Sequence, residues 1–252
     1  MTLRVLDMGD SAFTIEFGNT VDPALQARVE GLDRAIASAR TMEGLNGLNG
    51  LVETVPTFRS LTLIYDPLET DRDRLLDAVL PLAGKADPVP PSAVRHWLLP
   101  ACYDEGAAPD LVATTRTLKL DAGELASMHA NTEYLVYMLG FLPGFAFMGD
   151  LPEALRLPRR SEPRTRVPAG SIAIAAGLTA VYPWESPGGW HLIGQCPVPL
   201  FDPMRSTPAL LRAGDQVRFD PVGTAEHARL KAAIAAGEID PESFCETRGA
   251  PP

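Results

Sequence analysis

Cysteine is scarce and scattered: the 252 residues hold three, Cys102, Cys196 and Cys245, with no C-x-x-C among them. An odd set spaced this way excludes a disulfide framework and gives no zinc-ligand pattern. The four histidines, His96, His129, His191 and His227, include no H-x-x-x-H pair, so no metal site is expected. No apolar run approaches the roughly 20 residues that a membrane-spanning helix needs. The opening MTLRVLDMGDS lacks a charged segment followed by an apolar one; no secretory signal is expected, and the cytoplasm is the expected location. Positive charge is also short. Against 32 Asp and Glu stand 22 Lys and Arg, a formal charge of −10, which repels nucleic-acid phosphates. There is no P-loop, no G-x-G-x-x-G ahead of a helix and no G-x-S-x-G elbow.

What is there reads as an α+β protein. With 46% apolar and 21% charged residues, the chain can build two modest domains. In the first, spanning 1–85, Leu3–Leu6 and Ala12–Phe17 are strand candidates around the Met8-Gly9-Asp10-Ser11 turn. Asp22 as N-cap and Pro23 at the first helical position open a helix that buries Leu25, Val29, Leu32 and Ile36. The tandem Asn46-Gly47-Leu48, Asn49-Gly50-Leu51 reads as a loop extension. Strands Leu51–Val55 and Leu61–Tyr65 follow, split by Pro56. A second helix has Thr70 and Asp73 as a capping box, buries Leu75, Leu76, Val79 and Leu80, and ends near Pro81 and Gly84. The pattern predicts a small α/β sandwich, of ferredoxin-like kind, serving as scaffold or docking unit. Pro88, Pro90 and Pro91 make 86–94 a semi-rigid linker.

The second domain, 95–240, opens with a strand at Arg95–Ala101 and helices near Pro109–Leu118 and Asp121–Ala130, the latter with Asp121 and Glu124 set as a capping box. Tyr134–Leu139 is a strand that runs into Gly140-Phe141-Leu142-Pro143-Gly144-Phe145. Bulky rings beside a bent backbone make Phe141, Pro143, Gly144 and Phe145 either a core corner or a pocket wall. Short strands follow at Ile172–Ala176, Ala180–Tyr182, Trp190–Gly194, Val198–Phe201 and Gln216–Phe219, the mark of a closed or sandwiched β-domain. A last helix, Thr224–Ala236, puts His227 on its packed side, and 241–252 is a tail.

The stretch Val167–Trp190 organises this domain, with Pro-Gly corners at Val167-Pro168-Ala169-Gly170 and Ser186-Pro187-Gly188-Gly189-Trp190. Such corners either turn the chain or present a nest of backbone N–H groups to an anion. An arginine arm feeds it: Arg156, Arg159, Arg160, Arg164 and Arg166 lie in RLPRRSEPRTR, offset only by Glu162. Guanidinium forks grip carboxylate or phosphate; the alternative is a solvated loop paired with surplus carboxylates. The candidate anion-binding set is therefore Arg159, Arg160, Arg164, Ser186, Gly188 and Gly189, walled by Trp190 and the Phe141–Phe145 segment. His129, at the end of a short helix, is the candidate general acid or base.

Three long segments carry a resemblance: YLVYMLGFLPGFAF (Tyr134–Phe147), LPRRSEPRTRVPAGSIAIA (Leu157–Ala175) and YPWESPGGWHLIGQCPVPLF (Tyr182–Phe201). With Met8–Ser11, Val55-Pro56 and Ala213-Gly214-Asp215, they resemble the family of the B subunit of the bacterial ATP-dependent 5-oxoprolinase. That family also includes a sporulation sensor-kinase inhibitor and proteins called allophanate hydrolase subunit 1. The resemblance implies a cyclophilin-like β-barrel as the second domain. It also implies two partners from the same 5-oxoprolinase, its C subunit with a related barrel and its A subunit. ATP is the implied co-substrate, with or without Mg2+, and the implied reaction is cleavage of 5-oxo-L-proline to L-glutamate. The resemblance leaves a kinase-inhibiting or urea/allophanate-processing role as alternatives. No Met-Lys-Met tripeptide occurs, so no biotin attachment is expected. Three places depart from the family pattern: Gln195-Cys196 in place of arginine-threonine, Asp150 in place of a glycine, and Asp104-Glu105-Gly106 in place of a glycine-rich turn.

Overall fold

A computed structural model describes residues 3–41, 47–83 and 94–246. The expected linker, apart from Val94, lies outside the described residues, as do Asn46, Gly84 and the end of the tail. The chain divides into two compact units, Met1–Val94 and Arg95–Pro252.

In the first unit, β1 (Arg4–Asp7), β2 (Ala12–Glu16), α1 (Pro23–Thr41), β3 (Leu51–Pro56), β4 (Ser60–Tyr65) and α2 (Arg72–Ala83) follow one another. The strands form one antiparallel sheet in the order β1-β2-β4-β3. Alternation places Phe13 and Ile15 of β2, with Leu61 and Leu63 of β4, in the core beside Leu25, Val29, Leu32 and Ile36 of α1. Asp22 caps α1 by accepting the Ala24 N–H at 2.7 Å. The α2 cap falls one residue later than the sequence pattern suggests: Asp71 Oδ1 accepts from Arg74 N at 2.9 Å. The helix also continues through Pro81 to Ala83, and Leu80 is exposed rather than buried. The order ββαββα is not the βαββαβ order of a ferredoxin-like unit, which corrects that expectation.

The second unit runs β5 (His96–Ala101), α3 (Leu111–Leu118), α4 (Ala122–Asn131), β6 (Tyr134–Leu139), β7 (Ala146–Gly149), β8 (Arg164–Val167), β9 (Ser171–Ala175), β10 (Leu178–Val181), β11 (Ser186–Gly188), β12 (His191–Gln195), β13 (Gln216–Pro221), α5 (Thr224–Ala235) and β14 (Cys245–Glu246). Eight strands make one sheet, ordered β12-β9-β10-β7-β6-β13-β5-β14, while β8 and β11 form a separate ribbon. The eight-stranded order is open. One isolated bridge, Cys102 to Gln195, links the chain just past β5 to the end of β12, with reciprocal 2.8 Å N–H···O bonds. Val198–Phe201 is not a strand; Phe201 only bridges Ala209. The larger core gathers Leu99, Val136, Met148, Ile172 and Phe219. A smaller apolar cluster joins Phe145, Val167, Tyr182, Trp190 and Leu192.

Two of the family departures have local explanations. Asp150 has φ 71°, the left-handed region that glycine enters freely and aspartate tolerates. Asp104 accepts from Thr224 N at 2.8 Å and Thr224 Oγ1 at 2.5 Å, capping α5 from a distant loop. The α4 capping box forms as expected, with Asp121 and Glu124 exchanging bonds of 2.7 and 2.8 Å. Among the described residues no helix is long and apolar enough to cross a membrane, and no cluster of potential metal ligands occurs.

Candidate functional site

The β8–β11 ribbon forms because Pro158 and Pro163 deny the arginine arm a helix, leaving it extended. Ser186 pairs with Val167 and Gly188 with Arg164, with a register shift between them. Beside the ribbon lies a cavity of about 600 Å³. One wall is aromatic: Phe145, Phe147, Tyr182 and Trp190 line it, with Phe145 edge-on to both Tyr182 and Trp190 at centroid distances of 5.1 and 5.9 Å. The other wall is Pro163, Ser186, Pro187, Gly188 and Gly189, with Arg159 at the side. Phe141 and Leu142 complete it. Phe141 has φ 68° and stands 66% exposed, an uncommon conformation for a bulky residue.

Of the predicted wall residues, Phe141, Phe145 and Trp190 line the cavity; Pro143 and Gly144 are not part of its lining. Gly144 instead lets the backbone turn at φ 77° against Phe201, whose Cβ would lie 2.6 Å from an added methyl.

The backbone-nest expectation for Gly188 and Gly189 is corrected. Neither has positive φ, and the ribbon pairs Ser186 and Gly188 with β8, whereas a nest needs successive free N–H groups. Glycine is required at 188 for space: a Cβ there would sit 2.3 Å from the Tyr182 hydroxyl.

The arginines divide. Arg159 lines the cavity, is exposed and has no ion pair among the described residues. Arg160 and Arg164 instead converge on Asp110 Oδ1, at 3.1 and 2.5 Å. Asp110 is buried, and its other oxygen accepts the Leu192 N–H at 2.8 Å, tying the clamp to β12. Two guanidinium groups on one carboxylate leave one positive charge uncompensated. Arg166 pairs bidentately with exposed Glu185 at 2.9 and 3.0 Å. Three polar atoms near the ribbon are buried without partners: Ser186 Oγ, Arg160 Nε and Arg164 Nη1. Burial pushes the Tyr182 phenol up, and the charges of Arg159 and Arg164 pull partly against that shift.

His129 lies elsewhere, in the core. It is 0% exposed, and burial lowers its pKa to about 3. Thr179 gives its proton to the Ala173 carbonyl at 3.1 Å. Nε2 therefore donates to Thr179 Oγ1 at 2.8 Å, and Nδ1 accepts from the Tyr103 hydroxyl at 2.7 Å. A neutral imidazole with both nitrogens occupied and no solvent face is a packing residue, which corrects the acid/base expectation.

Sequence reasoning missed Asp110, and it noted Asp104 only as a departure from the family pattern, without its role at the start of α5. Each side chain acts on partners at least 50 positions away, and no local pattern marks them. Gln195 and Cys196 are not among the cavity-lining residues, and Cys196 is fully buried with its thiol pushed up to about 12.

The family described as carboxyltransferase domain, subdomain C and D, matches residues 3–211. A Bacillus subtilis protein, named as the B subunit of 5-oxoprolinase, is 37% identical over 231 residues, 87% of this chain and 93% of its own length. The 5-oxoprolinase B subunit of Escherichia coli O157:H7 is 37% identical over 217 residues, covering 85% and 94%. Among solved structures, TTHA0988 shares 37% identity over 84% of this chain, with a TM-score of 0.71. The chain spans about two-fifths of that longer protein, 39%. The Kluyveromyces lactis urea amidolyase has the same fold over 94% of this chain and 16% of its own, at 19% identity and TM-score 0.73.

Proposed function

As this chain belongs to the family of the carboxyltransferase domain, subdomain C and D, we propose that it serves within an ATP-dependent 5-oxoprolinase complex and holds a small carboxylate in the cavity beside the β8–β11 ribbon. The observation that carries the site is the conjunction in one cavity of Arg159, without an ion pair among the described residues, a buried Ser186 hydroxyl with no partner among them and an aromatic wall. Native structures pair almost all buried polar groups, which makes the unmatched Ser186 hydroxyl in this wall an exception, and the exposed Arg159 guanidinium beside it is placed to take an anion.

The chemistry fits. A lactam is resonance-stabilised, and phosphorylating its carbonyl oxygen makes the carbon attackable by water. Such transfer depends on positioning and on positive groups near developing charge. In this reading Arg159 takes the carboxylate, the aromatic wall takes the ring, and the Asp110 clamp holds the ribbon in place. ATP, with Mg2+, and the acyl-phosphate chemistry belong to the assembled complex, whose other members are the C and A subunits. The Arg95–Pro252 unit is read as a cyclophilin-like barrel that the Cys102–Gln195 bridge completes, preceded by the scaffold unit and joined to it through 86–94.

The test is reconstitution with the cognate subunits. ADP release that depends on 5-oxoproline and falls at least 10-fold in Arg159→Ala supports the reading. Release that depends on urea or allophanate, or inhibition of a sensor kinase by this chain alone, replaces it.

A further inference from the structure

A second cavity, of about 400 Å³, opens beside β5 and β14 and shares no lining residue with the ribbon cavity. Its size suits a small molecule. Next to it Asp215, 3% exposed, is fully matched. Its two oxygens accept from Arg95 Nε at 2.8 Å, Arg95 Nη2 at 2.5 Å, Trp97 Nε1 at 3.0 Å and Arg212 N at 2.9 Å. One carboxylate thus fixes three lining residues, Arg95, Trp97 and Arg212, and neutralises the Arg95 charge. The other polar groups of the lining are a different case. Among the described residues the Arg212 and Glu242 side chains, both exposed, have no ion pair and no hydrogen bond, with each other or with a third group, and the hydroxyls of Ser206 and Thr207 have no hydrogen bond. Glu242 is held by its backbone, since its N–H donates to Asp240 Oδ1 at 2.9 Å at the start of a 3-10 turn, Pro241–Phe244. The cavity therefore presents one positive and one negative charge on anchored backbone, with Trp97, Ala209 and Leu210 as its apolar part.

That combination of charges decides the ligand class. A simple anion would meet Arg212 but be repelled by Glu242, and a simple cation would meet Glu242 but be repelled by Arg212. The phosphate chain of a nucleotide fares worse, because Asp215 already neutralises Arg95 and a single guanidinium is left to oppose several negative charges. A molecule with a carboxylate and an ammonium on one carbon satisfies both side chains, and it spans a gap that they do not close themselves. We propose that this cavity binds a free α-amino acid as its zwitterion. The Arg212 guanidinium forks onto the carboxylate, the Glu242 carboxylate accepts from the ammonium, and the Ser206 and Thr207 hydroxyls add hydrogen bonds. A small apolar side chain lies toward Ala209 and Leu210. Both charged residues are exposed, and exposed ion pairs are individually weak. Affinity is accordingly in the millimolar range, and selectivity comes from the need for both charges at once. The site is separate from the ribbon cavity and does not depend on the 5-oxoprolinase reading.

NMR titration of the full chain with L-alanine and its two blocked forms, N-acetyl-L-alanine and L-alaninamide, tests this. L-Alanine should bind in the millimolar range, and each blocked form about 5-fold more weakly. Arg212→Ala should weaken L-alanine by about the same factor without weakening L-alaninamide, and Glu242→Ala should do so without weakening N-acetyl-L-alanine, the coupling expected of groups in contact. Arg159→Ala, in the other cavity, should change none of these values. Both substitutions at the site remove exposed side chains that make no bond among the described residues, so melting temperatures should hold and establish that the variants fold. A second readout is chemical. Cys245 lines the cavity and is the one cysteine of the three that is not buried, so L-alanine should slow its alkylation by iodoacetamide, followed by mass spectrometry. Blocked forms that bind as tightly as L-alanine, binding lost in Arg159→Ala but kept in Arg212→Ala, alkylation of Cys245 unchanged at saturating L-alanine, or no binding at all would overturn the proposal. The reconstituted ADP-release assay reads the other proposal: 5-oxoproline-dependent turnover without alanine binding sinks this inference and leaves the 5-oxoprolinase reading standing, and alanine binding without such turnover does the reverse.

Discussion

The Arg95–Pro252 unit holds two polar centres that a linear reading ranks together and that the fold treats in opposite ways. Around His129 every group is matched: Tyr103 and Thr179 occupy both ring nitrogens, and Thr179 is satisfied in turn by Ala173. Beside the ribbon the matching is incomplete, with Ser186 Oγ, Arg160 Nε and Arg164 Nη1 unpartnered and Arg159 without an ion pair among the described residues. A closed polar network rigidifies a core. An open one next to an aromatic cavity marks a place for a ligand. The candidate site is thus recognised by what is left unpaired, not by which residue type is the more reactive.

The sharpest way to break that contrast is pH. His129 is protonated with an ordinary value near 6.5 when unfolded and only near pH 3 when folded. Between those values the unfolded chain binds the extra proton. Its contribution is thus complete above pH 6.5 and is lost as pH falls toward 3, at up to about 1.4 kcal/mol per pH unit. Denaturant melts across that window should show the slope, and His129→Gln should remove much of it without selectively weakening ligand binding by the folded fraction.

Next in size is Asp110→Ala. It leaves two partly buried guanidinium groups unopposed and frees the Leu192 amide, and should cost about 3 kcal/mol. A modest loss of that stability accompanied by full ligand affinity would show that the clamp does not shape the cavity. Arg164→Ala belongs with it, lowering turnover chiefly through loss of the ribbon's order. Arg159→Ala falls on the other side of the comparison: turnover of the reconstituted complex should drop at least 10-fold, with a melting temperature unchanged within about 1 °C. Ser186→Ala is the smallest effect, a few-fold loss of affinity, and it should leave stability the same or slightly higher because an unsatisfied hydroxyl is removed. A clear stability loss at Ser186 would mean that its hydroxyl has a structural partner.

How much of this was legible in sequence depends on range. Elements with local signals were found: Asp22–Pro23 opening α1, the Asp121–Glu124 box opening α4, and the strands at Leu51, Tyr134 and Gln216. The aromatic wall and Ser186 were also within reach, since the Pro-Gly corners announce a sharp turn and rings cluster around them. What failed was non-local. Nothing near Asp110 in the chain shows that Arg160 and Arg164, at least 50 residues on, will close on it. Nothing around His129 discloses its burial, because Tyr103 and Thr179 arrive from other parts of the chain. The short ribbon strands β8 and β11 escaped because prolines and glycines disguise so brief a pairing. Gly188 read as a nest residue, although its small size serves the Tyr182 ring instead.

The most direct test of the central claim is a crystal structure of this chain soaked with L-5-oxoproline. The account predicts density for a five-membered ring against Phe145 and Trp190, its carboxylate about 2.8 Å from the Arg159 guanidinium. A ligand bound elsewhere on the chain, with that cavity holding only solvent, would contradict it.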